Sequence, residues 1–188
     1  MIKILSEDHS FSRAPARNVN EKVIDRSRAQ FLNEFFGSML YKLIITPLAV
    51  YIYGLTQTGK STLLKLIRFV LGEKNCVQIQ MSQFNETFER VRIEHKLANI
   101  VPDESARYIT DISFWKAAVS GDPINASKKF QDTHEFAPYA KFITGINKLY
   151  YTKDEDDATW QRKQLVFWNA HQYTEKDPAR DDINVGQT

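Results

Sequence analysis

Between a strand-like apolar run and a stretch of helical periodicity lies Gly54-Leu55-Thr56-Gln57-Thr58-Gly59-Lys60-Ser61, with glycine at both required places and then lysine and a hydroxyl residue. No other feature constrains the fold so tightly, because this spacing acts only after a strand and before a helix. Both are predicted. Leu48-Ala49-Val50-Tyr51-Ile52-Tyr53 is rich in strand formers and stops at Gly54, and Lys60 to Leu71 keeps helical spacing until Gly72. Gly54 lets the chain leave the strand and Gly59 permits close backbone approach. Successive N–H groups from Thr56, Gln57 and Thr58 through Thr62, with the positive helix end, then surround a polyphosphate. Lys60 neutralises the β and γ phosphates and Ser61 offers an oxygen to Mg²⁺. A glycine turn that carries Lys and Ser by chance is the alternative, and the strand-loop-helix context weighs against it. Binding of ATP with Mg²⁺ is the expectation.

The 188 residues suit one domain with a small appendage. Residues 1–19 read as a loose polar arm, 20–170 as the globular domain and 171–188 as a polar tail. Hydrophobic residues at 43% and charged residues at 26% exclude a disordered chain and a coiled-coil rod. A net charge of +2 gives no overall basic field, so an anionic partner must be held locally. The single Cys76 excludes an internal disulfide and a cysteine zinc cage, and fits a reducing compartment. Charge interrupts the first residues before any export signal forms, and Leu43 to Leu55, broken by Pro47, falls short of the roughly 20 residues that span a bilayer. No membrane partner is expected, and the cytoplasm is the expected compartment.

Apolar spacing at Val23, Ile24, Phe31, Leu32, Phe35, Phe36, Met39 and Leu40 predicts a helix over 21–41. Strands are predicted at 77–80, 97–101, 141–146 and 165–168, and helices at 85–93 and 113–120, with a short helical turn at 158–163. Extended pieces at 124–130 and 135–136 form a hairpin after the turn Gly121-Asp122-Pro123. Strands alternating with helices imply an α/β fold with a mostly parallel sheet, whose ligands sit at the carboxyl ends of the strands.

Polar residues fall at those ends. Asp103 and Glu104 follow the strand at 97–101. If that strand lies beside the phosphate-loop strand, Asp103 reaches the metal shell and Glu104 orients an attacking water. An acidic pair at a helix N-terminus is the plainer alternative. Asn147 closes a buried strand, where its amide holds a γ phosphate or a water, or merely forms a turn. Arg162 is either a solvated surface charge or a finger that reaches a neighbouring subunit's nucleotide. Lys128, Lys129 and Phe130, with His134, place cations and rings on the hairpin, a combination that follows single-stranded DNA and that also occurs on ordinary charged hairpins.

Taken in order, these elements resemble the superfamily 3 helicases, in particular the helicase module of phage and plasmid primase-helicase proteins. Phe31-Leu32-Asn33-Glu34-Phe35-Phe36-Gly37 looks like the helix before that family's phosphate loop. Lys116-Ala117-Ala118-Val119-Ser120-Gly121-Asp122-Pro123-Ile124-Asn125-Ala126 looks like its signature leading into a DNA-contacting hairpin. Phe136-Ala137-Pro138-Tyr139-Ala140-Lys141 and the strand to Asn147 are similar to the approach to its sensor asparagine, and Asp156 to Arg162 to the stretch that carries its arginine finger. Four positions depart from the pattern: Ser120 replaces a usual glycine, Ser127 a common arginine, Tyr150 a common proline and Gln161 the first arginine of a pair. The resemblance implies an AAA+ type fold with a hairpin inserted before the sensor strand, and a hexameric homo-oligomer with ATP at subunit interfaces. It also implies travel on single-stranded DNA. Lys60, Ser61, Asp103, Glu104 and Asn147 would act within one subunit and Arg162 from the next. A primase or origin-binding domain would lie outside this chain. Two competing functions share the loop: a nucleotide-dependent DNA-binding or assembly module with little turnover, and a small-molecule kinase. No arginine-rich lid supports the kinase.

Overall fold

The run Ala49–Tyr53 forms β1, buried along its first four residues, and takes a parallel neighbour on each side. The computed structural model describes residues 19–104, 111–147 and 163–167. Helix α1 spans Val19–Ser38, beginning two residues before and ending three residues before the 21–41 that its apolar spacing predicts. The chain divides into two compact units after Ser38, and every strand among the described residues lies in the second. After β1 come α2 (Lys60–Leu71), β2 (Cys76–Val77), a 3-10 helix (Met81–Asn85), α3 (Thr87–Arg90) and a 3-10 turn (Val91–Ile93). Then follow β3 (Ala98–Val101), α4 (Ser113–Ser120), the hairpin strands β4 (Ile124–Ala126) and β5 (His134–Phe136), β6 (Lys141–Ile146) and β7 (Lys163–Phe167).

The main sheet is parallel throughout, in the order β2-β3-β6-β1-β7, and β4 and β5 pair antiparallel on their own. A buried parallel sheet needs both faces covered, which is why its strands are continuously apolar rather than alternating. On one face, Phe142 packs its ring 5.6 Å from Phe84 and 6.4 Å from Trp115 of α4, within a cluster that includes Tyr51, Val77 and Ile146. On the other, the amphipathic α2 buries Leu64, Ile67 and Leu71. β6 therefore sees dense packing from both sides and is buried at all six residues. At its amino end Lys141, 6% exposed, donates through Nζ to the carbonyls of Tyr41 and Tyr139, fastening the approach to β1 against the base of the sheet.

The approach Leu43–Pro47 is largely exposed, and only residues from Ala49 enter the ladder. Three expectations change. The strand predicted at 77–80 pairs only through Val77. Beyond it the amide of Asn99 replaces a ladder partner, accepting from the N–H of Ile79 at 2.8 Å and donating to its carbonyl at 2.9 Å. The helix predicted at 85–93 is three short pieces. The carbonyls of Phe84, just before it, and of Asn85 accept from the Arg90 side chain instead of entering one α ladder. The hairpin strand ends at Ala126, not Phe130, because the chain turns through a left-handed residue at Phe130. The helical turn at 158–163 lies outside the described residues except for Lys163, which is strand.

Candidate functional site

At the carboxyl end of β1 the chain stays stitched to β6 by the Gly54 N–H, which donates to the Ile146 carbonyl at 3.2 Å, before the loop lifts away. Gln57 (φ 59°) and Gly59 (φ 87°) take left-handed conformations, and a Cβ built on Gly59 meets nothing within 4 Å, so the backbone there is open to approach. The Leu55 carbonyl closes the loop by accepting from Thr58 Oγ1 at 2.8 Å and from Lys60 Nζ, which also donates to the Gly54 carbonyl at 2.8 Å. Leu63 N–H makes the first bond of α2, to Gly59, so the N–H groups of Lys60, Ser61 and Thr62 precede the ladder at its positive end. Thr56, Gln57, Ser61 and Thr62 are exposed while Thr58 and Lys60 are buried. Burial lowers the Lys60 pKa, and the Asp103 charge opposes that shift. A loop of amides with one ammonium and one outward hydroxyl is the donor set that a polyphosphate and a hard cation need.

The acids reach this loop by a route the sequence does not give. β3 does not lie beside β1. It pairs with β6, which separates the two. Crossing that strand depends on Gly145, where a Cβ would stand 2.4 Å from the Pro102 carbonyl oxygen. The missing side chain lets Pro102-Asp103-Glu104 lean over β6, and the Glu104 N–H donates to the Gly145 carbonyl at 3.2 Å. Asp103 stays exposed and its charge acts on both Lys60 and Glu104. Glu104 is 7% exposed and accepts from the Met81 N–H at 3.0 Å. Burial pushes its pKa up to about 7, with the Met81 bond opposing and Asp103 adding to the shift.

Asn147 is exposed one residue past β6. Because Tyr53 and Ile146 are in register, it stands level with Gly54. The structure thus brings Lys60, Asp103, Glu104 and Asn147 to the carboxyl ends of β1, β3 and β6. Arg162, with Tyr150 and Gln161, lies outside the described residues. Lys163, the next residue, pairs with Ala49 at the amino end of the sheet, opposite the loop.

The hairpin carries Lys128, Lys129 and Phe130 on its exposed turn, closed by the Gln131 N–H to the Lys128 carbonyl at 3.1 Å. Phe130 is fully solvated at 103% exposure and holds φ at 63°. A bulky residue in that conformation stores strain of about 1 to 3 kcal/mol, which folding alone gives no reason to keep. His134 differs from its neighbours on the turn: its Nε2 lies 3.2 Å from Glu94 Oε1 and its ring 5.7 Å from Phe136. Among the described residues no three His, Cys, Asp or Glu side chains cluster as a metal site, and no helix is long and apolar enough to cross a membrane.

Three positioning features escape the motifs: Asn99, Gly145 and the Met81 amide. Asn99 sets the path of residues 79–81, and so the direction of the Met81 N–H toward Glu104. An amide inside an apolar strand was the signal in the sequence, as was the glycine inside β6.

The profile of DUF5906, a family of unknown function, matches residues 52–163. No curated protein matches the sequence. Two structures of the apo NrS-1 C-terminal region are similar in fold. One has a TM-score of 0.58 at 16% identity, covering 84% of this chain and 39% of that one; the other has a TM-score of 0.55 at 18% identity, covering 77% and 36%. The chain thus spans under two fifths of the length of these structures.

Proposed function

The chain belongs to the family of unknown function DUF5906, and on that footing we propose that it is an ATP-hydrolysing helicase motor of the superfamily 3 type. It would translocate on single-stranded DNA during replication of a viral or mobile element, in the cytoplasm of the host. The observation that carries the reading is the convergence of the buried Lys60 with Asp103 and Glu104, from strands that are not neighbours, across Gly145. The parallel sheet, with the loop strand inside it and the hairpin before β6, supports an AAA+ type fold.

In this reading the amides from Gly59 to Thr62 and the Lys60 ammonium grip the triphosphate, and Ser61 and Asp103 would hold Mg²⁺. The metal, when bound, neutralises charge on the phosphate oxygens. Glu104, whose pKa near 7 suits a general base at neutral pH, takes a proton from water as the water oxygen bonds to the γ phosphorus. The bond to the bridging oxygen breaks, leaving ADP and phosphate. Asn147 orients that water or the γ phosphate. Residue 163 starts β7 roughly 15 Å from the loop, a span of about five extended residues. This favours Arg162 as a finger supplied to a neighbouring subunit of a hexameric ring. Lys128, Lys129 and Phe130 contact the strand of DNA, and a primase or origin-binding domain belongs to a longer protein around this module.

ATP turnover measured with and without single-stranded DNA across protein concentration tests the reading. Turnover that is stimulated by DNA, rises steeply with concentration and disappears in Lys60→Ala supports it. Turnover insensitive to DNA refutes it. A second reading, an assembly module with slow turnover, is favoured by one observation: Glu104 is held on the Met81 amide. Stoichiometric ATP binding without turnover would select it.

A further inference from the structure

Arg90 is buried at 4% exposure, and among the described residues no carboxylate lies within ion-pair distance of it. Its charge is met by oxygen dipoles and a ring. Nε donates to the Asn125 carbonyl at 2.8 Å, Nη1 to the carbonyls of Phe84 at 2.8 Å and Asn85 at 3.1 Å, and Nη2 to Thr87 Oγ1 at 3.2 Å. The guanidinium carbon sits 3.6 Å above the Phe114 ring centroid. Burying a charge this way is costly and has to be matched by geometry that a simpler apolar residue would not supply.

The partners belong to two places. Asn125 is the middle residue of β4, the root of the hairpin. Phe84 and Asn85 end the 3-10 helix that begins at Met81, whose N–H holds Glu104. That helix is braced at its start by the Gln80 N–H to Gln83 Oε1 at 2.7 Å and at its end by Asn85 Nδ2 to the Asp111 carbonyl at 2.9 Å. A contiguous set of bonds thus runs from the Glu104 carboxylate through one short rigid rod and one guanidinium to the hairpin.

We infer that Arg90 is a positioning residue that couples the nucleotide site to the hairpin, so that DNA held at the turn and nucleotide held at the loop alter each other's affinity. The inference rests on the motor reading above and adds the part that transmits. A planar fork spans three carbonyls and a hydroxyl at once, which an ammonium does not.

The experiment measures the dissociation constant of the full chain for a single-stranded oligothymidylate, with and without a nonhydrolysable ATP analogue and Mg²⁺. The ratio of the two constants is the coupling factor. In Arg90→Lys it should move toward unity by about threefold or more, while the affinity for each ligand alone stays within about twofold. A merely structural Arg90 would weaken both single affinities or lower thermal stability and leave the ratio unchanged, which overturns the inference. If Arg90→Lys does not fold by circular dichroism, Thr87→Val and Phe114→Leu each remove one partner. A ratio moving toward unity in either supports the coupling, and an unchanged ratio in both overturns it. A wild-type chain that binds both ligands with a ratio of one refutes the coupling and leaves the motor reading standing. A chain that binds neither removes the motor reading, and the coupling with it.

Discussion

Gly145 and Pro102 touch so closely that a methyl group on the glycine would stand 2.4 Å from the proline's carbonyl oxygen. Backbone on both sides leaves no flexible side chain to yield. Gly145→Ala should therefore cost about 1 to 3 kcal/mol in urea unfolding, the usual range for overpacking, and should reduce ATP turnover further than the stability loss explains. Unchanged stability in this variant would mean that the acids do not cross β6 as described.

Glu104 gives a pH dependence with a definite sign. Its folded pKa of about 7 lies above the ordinary 4.5, so the folded state holds the proton more tightly than the unfolded chain. Its contribution is complete below about pH 4.5 and is lost as pH rises through about 7. The loss is on the order of 3 kcal/mol for a shift of this size. Unfolding free energies between these limits should fall with pH in the wild type and flatten in Glu104→Gln. If the carboxylate is the base, wild-type turnover rises over the same interval and Glu104→Gln has almost none.

Asn99→Leu keeps the volume of the side chain and removes both of its bonds to Ile79. Leaving a buried N–H and C=O without those partners should cost about 2 to 4 kcal/mol. The Met81 amide would lose its aim, so the titration of Glu104, followed by the pH profile of stability, should shift as well. An unchanged profile would separate Asn99 from the acid.

Phe130→Gly separates binding from folding. Glycine accepts the left-handed backbone freely, so stability should hold or rise by about 1 kcal/mol. Affinity for single-stranded DNA should fall roughly 5- to 100-fold if a base stacks on the ring. Equal DNA affinity in the variant would assign the hairpin another use.

The loop, its strand and its helix were legible because their chemistry is local: glycine spacing, one lysine and a helical repeat state their own geometry. α4 and β6 read equally well from apolar pattern and flanking turns. The separation of β3 from β1 by β6 did not, because no local rule says which strand enters between two others. Gly145 encodes the answer only once its neighbour is known. The path after β2 was misread for a related reason, since Asn99 supplies a side-chain bond where pattern rules expect a ladder. The break in the predicted helix at 85–93 came from Arg90, whose long side chain competes for carbonyls that would otherwise stay within one helix. Arg162 and the tail fall where the structure describes no residues.

The self-contact of Lys60 has a consequence for selectivity. Its ammonium already has carbonyl company from Gly54 and Leu55, so any incoming anion gains only the difference between its own attraction and that of these oxygens. Inorganic phosphate or a nucleoside monophosphate gains little from the exchange, whereas a chain of phosphates also recruits the amides beyond Gly59. The loop should therefore rank ligands by phosphate count before any base is recognised, a ranking that competition among mono-, di- and triphosphates reads directly.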